Sequence, residues 1–133
     1  MTTKETGNAV IVTKSSSHSV EDTTASCTAL LHSKGLKVFD VIDQRAEASD
    51  VGLDLRSTTL ILFGNPRAGT PVMDYAPLAA LDLPLKILIW DDGGQTKVSY
   101  VAPDELARRY RLTPELRDQL SGIDALTDAV IAP

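Results

Sequence analysis

The sequence predicts an α+β domain built on a single, largely antiparallel sheet with helices packed on one face. Three observations carry that expectation. The runs Leu60 to Phe63 and Lys86 to Trp90 are apolar at nearly every position, which suits central strands rather than half-exposed ones. The second run passes through Asp91-Asp92-Gly93-Gly94 into TKVSYV, the pattern of a hairpin closed by a tight glycine turn. The stretch after Ala102 is helical, so the order is strand, helix, strand, short helix, strand, long loop with a short helix, hairpin and two helices.

Residues 1–7 are polar and without period, and are expected to form a flexible tail ahead of a single domain over 8–133. A first strand is expected from Ala9 to Thr13. In SVEDTTASCTALLHSKG, Ser19 followed by Asp22 resembles a capping box, and Gly35 stands where a helix should end. Val20, Thr24, Cys27, Leu30 and Leu31 recur between them at helical spacing. Leu36 to Asp43 reads as a strand, and QRAEASDVGLDLR as a short helix or turn ending near Gly52.

If Gly93-Gly94 is the two-residue loop, Ile89 faces Val98 and Ile87 faces Tyr100 on one side, while Leu88, Trp90, Lys97 and Ser99 share the other. In PDELARRY, Pro103 fits the first helical position, and the acids and arginines suit opposite ends of the macrodipole. Asp104 with Arg108 and Glu105 with Arg109 are also spaced for i to i+4 pairs. Thr113-Pro114 starts a further helix, whose stripe runs through Leu116, Leu120, Ile123 and Val130, with a kink expected at Gly122.

At 133 residues the chain suits one domain that buries roughly two-thirds of its unfolded surface. Its formal net charge of −5 argues against nucleic acid and against an anionic membrane surface as partners. Cys27 is the only cysteine, so no disulfide forms within the chain, and the histidine and cysteine spacing fits no zinc pattern. No metal and no cofactor is expected, since G-x-G-x-x-G is also missing. The apolar run Ala9 to Val12 is too short for a signal or a membrane span, and a soluble cytoplasmic protein is the expectation. A sheet apolar on both faces needs more cover than one layer of helices, which predicts a homodimer or another bound partner.

The segments FGNPRAGTPVM, ALDLPLKILIWDDGG and VSYVAPDELARRY, with HSKGLKVFDVIDQRAEASDVGLDLR before them, resemble a bacterial and archaeal family, domain of unknown function 302. The resemblance covers about residues 19–112. It implies an α+β fold of the TATA-binding-protein-like type with β-α-β-β-β-β-α topology, and a homodimer; it implies no reaction. Where the family is expected to read Ile-Asp-His, this chain has Ile42-Asp43-Gln44, so no role of that histidine as a base or as a haem or metal ligand carries over; Gln44 can hydrogen-bond but cannot titrate.

The candidate site lies in the stretch Phe63 to Lys86. Gly64, Asn65, Gly69 and Thr70 could form an anion-binding loop, with Arg67 adding charge and Thr70 capping a helix that starts at Pro71. A rigid structural loop explains the same residues. Asp82 and Lys86 could act on a substrate, or form an ion pair at the start of a strand. Trp90 and Tyr100 complete the candidate set. Cys27 and His32 lie on different sides of one helix, and Cys27 sits in its apolar stripe.

Two classes of function follow. The first is a dimeric module that binds a small organic or anionic ligand at the FGNPRAGT segment. The second is an enzyme using Lys86 or Asp82 in a pocket at the dimer interface, with a pure protein-interaction module as the remaining alternative.

Overall fold

The computed structural model describes residues 10–133. The expected tail and the start of the first strand at Ala9 lie outside the described residues. Five strands form one antiparallel sheet in the order β1-β5-β4-β3-β2, with β1 Ile11–Ser16, β2 Lys37–Asp43, β3 Thr58–Gly64, β4 Leu85–Asp92 and β5 Gln95–Val101. The helices are α1 Val20–Ser33, α2 Gln44–Asp50, α3 Pro66–Tyr75, α4 Pro103–Tyr110, α5 Pro114–Leu120 and α6 Gly122–Ile131, with a 3-10 turn at Pro77–Asp82. Without the short helices the order is the expected β-α-β-β-β-β-α.

Local chemistry sets most boundaries. The Ser19 side chain accepts from the Asp22 amide at the start of α1, and Gly35 follows that helix with φ +71°. Thr113 caps α5 by accepting from the Leu116 amide, and the chain breaks between α5 and α6 beside Gly122, where a kink was expected. Gly93 and Gly94 both have positive φ, as a tight hairpin turn requires. The register follows, with Ile89 opposite Val98 and Trp90 opposite Lys97.

One stretch departs from its reading. Residues 66–75 form a helix that begins at Pro66, with the Asn65 side chain accepting from the Arg67 amide. Thr70 and Pro71 therefore lie inside α3, and Thr70 does not cap a helix at Pro71. Asn followed by Pro is itself a strong helix start, and it takes precedence over the later glycine and proline.

The sheet has two unlike faces. Ile61, Phe63, Ile87, Ile89, Val98 and Tyr100 are buried beneath α1 and α6, which add Cys27, Leu31, Ile123 and Leu126 to the same core. Burial pushes the Cys27 thiol up to about 12, so it packs as a small apolar group. A second cluster of Val72, Ala79, Leu106 and Leu120 joins α3, the 3-10 turn, α4 and α5. On the opposite face Leu60, Leu62, Leu88 and Trp90 remain half-buried, and helices do not cover it as they cover the first.

The helical layer is pinned by a lysine inside the core. Lys14 on β1 is 0% exposed, and its Nζ donates to the Asp124 carbonyl at 2.9 Å and to Thr127 Oγ1 at 2.6 Å, with Asp128 Oδ1 at 2.8 Å. The ammonium also lies 5.3 Å from the centre of the Tyr100 ring, whose hydroxyl donates to the Asp124 carboxylate. Every acceptor is on α6, so the network fastens that helix to the edge strand.

A second network ties the 3-10 turn to α4. Arg108 and Arg109 both donate to Glu105 at 2.8 Å, and Arg109 Nη1 also reaches Asp82 at 3.1 Å. The expected Glu105 to Arg109 pair is present, whereas Asp104 pairs with Arg117 of α5 at 2.6 Å instead of with Arg108. Packing of α5 against α4 brings the nearer arginine to Asp104.

Two stability outcomes follow. Lys14→Ala removes a buried stem and leaves the Thr127 hydroxyl and Asp124 carbonyl short of a donor, and should cost about 2 to 4 kcal/mol in urea unfolding; a loss within 0.5 kcal/mol or so would show the network contributes little. The hydrogen bonds from Arg108 and Arg109 lower the Glu105 carboxyl from its ordinary 4.5 to about 2. A carboxylate depressed in the folded state stabilises above its unfolded value and loses that contribution as pH falls through its folded one. Stability should therefore decline from pH 5 to pH 2 or so, and Glu105→Gln should flatten that decline in thermal midpoints measured across the range.

Candidate functional site

A cleft of about 760 Å³ opens at one end of the sheet, on the side covered by α1 and α6. Four parts of the chain converge on it. Lys34 and Leu36 come from the turn after α1, and Phe39 from the neighbouring edge strand β2. Phe63 and Gly64 end β3, and Asn65, Ala68, Gly69 and Met73 continue the wall along the start of α3. Leu83, Pro84 and Leu85 lead into β4, with a cis peptide bond joining Leu83 to Pro84. Gln119 and Leu120 of α5, with Gly122, Ile123, Ala125 and Leu126 of α6, close the opposite side.

The convergence has local causes. A register shift in β2 between Val38 and Asp40 sets Phe39 apart from the regular alternation, and the ring edge lies near Gly64, where an added Cβ would stand 3.7 Å away. Pro66 begins α3 directly after β3, so the helix leaves the sheet at its end instead of lying across it. The helix is interrupted at Ser121, and residues on both sides of the interruption line the cleft.

The lining is mainly aliphatic and aromatic, as ligand cavities usually are. Lys34 is its one charged residue, and Asn65 and Gln119 are its other polar side chains. The Asn65 carbonyl oxygen is engaged by the Arg67 amide, which leaves its NH2 group as the available donor.

The structure separates the residues singled out from the sequence. Gly64, Asn65 and Gly69 line the cleft. Arg67 and Thr70 are exposed residues of α3 that do not line it. Asp82 is held by Arg109 and by the Tyr110 hydroxyl; burial alone would raise its carboxyl, but those two donors outweigh it and lower it, helped by the Lys86 charge. The expected Asp82 to Lys86 ion pair is thus replaced by a pair with Arg109, because α4 packs against the 3-10 turn. Lys86 is opposite Leu62 and belongs to the open face of the sheet, as does Trp90, whose indole donates to Ser99 Oγ at 3.0 Å. Tyr100 lies on the other face, where burial and the Asp124 carboxylate raise its phenol.

Most of the cleft was invisible to sequence reasoning. Lys34, Leu36 and Phe39 read as the end of a helix and a strand, and Gln119 to Leu126 as a helical stripe. The one available signal was the excess of apolar positions in the last two helices, on more sides than a single stripe requires. Among the described residues no group of three or more His, Cys, Asp or Glu side chains could hold a metal ion, and no helix is long and apolar enough to cross a membrane.

The chain is similar to longer proteins. It is 41% identical over 103 residues to "Fluoride-specific ion channel FluC 1" of Brucella suis biovar 1, which spans 77% of this chain and 41% of that protein. "Fluoride-specific ion channel FluC 2" of Brucella melitensis biotype 1 is 41% identical over the same length, 38% of that protein. The chain thus spans about two-fifths of the curated relatives it matches. Among solved structures, the "uncharacterized conserved protein DUF302 from Bacillus stearothermophilus" shares the fold with a TM-score of 0.77 at 20% identity, covering 92% of this chain and 95% of that one. The family described as "Domain of unknown function DUF302" matches residues 12–130, and the chain belongs to it.

Proposed function

We propose that this protein is a dimeric binding module that takes a small, largely apolar organic molecule into the cleft between α3 and the α5–α6 pair. The cleft itself carries the reading: its volume of about 760 Å³ lies within the range of ligand cavities, and a few polar groups interrupt an apolar wall. Binding is favoured over catalysis by the placement of the titratable candidates. Asp82 is engaged by Arg109 and Tyr110, and Lys86 stands on the open face of the sheet, so neither reaches the cleft. The dimer reading is supported by that open face, whose half-buried Leu60, Leu62, Leu88 and Trp90 form an apolar strip a second copy would cover.

A second reading is favoured by the Brucella relatives. There, a segment similar to this chain belongs to longer proteins named as fluoride-specific ion channels, so this chain would serve ion transport as an attached or docking module. Fluoride flux through vesicles holding the Brucella suis protein, measured with and without the matching segment, separates the readings. Altered flux favours a transport role, and unchanged flux favours independent ligand binding.

Two outcomes are expected of this chain. Ala125 lines the cleft yet is exposed, so Ala125→Trp should obstruct it without disturbing the core. Calorimetric titration with decanol should show binding to the unaltered protein and a loss of at least about tenfold in the variant, equal to some 1.4 kcal/mol; equal affinities would remove the cleft as the site. Light scattering should give the mass of two chains, falling to one in Trp90→Glu. A monomeric parent protein would refute the dimer.

A further inference from the structure

We infer that the ligand of the cleft is an amphipathic carboxylate: a free alkyl or aryl acid with its chain inside the apolar wall and its anionic head at Lys34. This rests on the reading of the cleft as a ligand site and adds the chemistry of the head group.

Charge around the cleft is one-sided. The chain has 18 acidic residues against 13 basic ones, yet no Asp or Glu lines the cleft and Lys34 does. Among the described residues Lys34 makes no ion pair, so no carboxylate of the chain occupies its ammonium. A second ammonium stands over a ring of the wall: Lys37 Nζ lies 5.0 Å from the centre of the Phe39 ring, which lines the cleft, and Lys37 too has no carboxylate partner among the described residues. The neutral polar groups point to the same chemistry. Asn65 has its oxygen committed to the Arg67 amide and offers its NH2, and Gln119 supplies a further amide. An unpaired cation in the wall, a second over the Phe39 ring and an available amide donor complement an oxyanion that carries an apolar body.

The interior sets the remainder of the ligand. Leu36, Leu83, Leu85, Leu120 and Met73 offer aliphatic surface, and Phe63 a ring, without a further polar group to satisfy a sugar or a polyol. Affinity should therefore grow with chain length, by roughly fourfold for each methylene that the cleft can still cover.

The test is a calorimetric comparison of decanoate, decanol and decylamine, all below their micelle concentrations, on the full chain and on Lys34→Met/Lys37→Met. Both lysines are exposed, so the double variant should fold, which its thermal midpoint checks. Decanoate should bind more tightly than decanol, with decylamine weakest. The double variant should weaken decanoate by about three- to tenfold, the effect of exposed ion pairs, and leave decanol within a factor of about two. Decanol binding as tightly as decanoate, or equal losses for both in the double variant, would overturn the carboxylate head while leaving the cleft as an apolar site. Failure of all three decyl probes, or binding that Ala125→Trp does not reduce, would overturn the cleft reading itself and this inference with it.

Discussion

Because β1 pairs with β5 at one edge of the sheet and β2 with β3 at the other, the chain between them has to cross the whole sheet, and α1 makes that crossing. The rest of the architecture depends on this. One 14-residue helix spans the sheet but is too narrow to cover it. The uncovered part of the same face is filled from the other end of the sequence, by α6, which lies against α1. A helix that arrives last has few connections to hold it, and the Lys14 network supplies what covalent continuity does not. The lysine stem packs in the core, while its ammonium finds three acceptors on α6, at Asp124, Thr127 and Asp128.

The cleft is what two crossing helices leave open. Where α1 ends, the chain turns back through Lys34 and Leu36 into the edge strand, and α3 departs from the end of β3 instead of returning over the sheet. A gap remains between these segments and the α5–α6 corner. Nothing in the packing requires that gap to be closed, because α3, the 3-10 turn, α4 and α5 have a small core of their own. The two faces of the sheet thus differ in cover. One face holds the fold together and leaves the cleft at its corner, and the opposite face carries half-buried leucines and Trp90.

Legibility in the sequence followed the range of the interactions involved. The β4–β5 register was readable because a two-residue glycine turn permits one pairing, and every partner then follows by alternation. The caps at Ser19 and Thr113 were readable for a similar reason, as each bond spans three residues. The start of α3 was placed too late, at Pro71, because Thr70-Pro71 also reads as a cap followed by an N1 proline, although Asn65-Pro66 carries the same signal earlier and a proline inside a helix removes a single backbone hydrogen bond. The partner of Asp82 was not readable, since Arg109 lies 27 residues away and meets it through packing of α4. The burial of Lys14 was equally hidden: alternation places it on the core face, but only the approach of α6, more than a hundred residues later, makes that tolerable. Of the residues singled out from the sequence, Gly64, Asn65 and Gly69 line the cleft, and its other walls depend on contacts that no local pattern encodes.

The account holds that the corner cleft, not the open face of the sheet, receives small molecules. Methyl-resolved NMR of the protein titrated with decanoate tests this most directly, because Met73, Leu83 and Leu120 report on the cleft while Leu60 and Leu88 report on the open face. The account predicts saturable shifts at the first three and little change at the last two. Shifts led by Leu60 and Leu88, with Met73 unmoved, would contradict it.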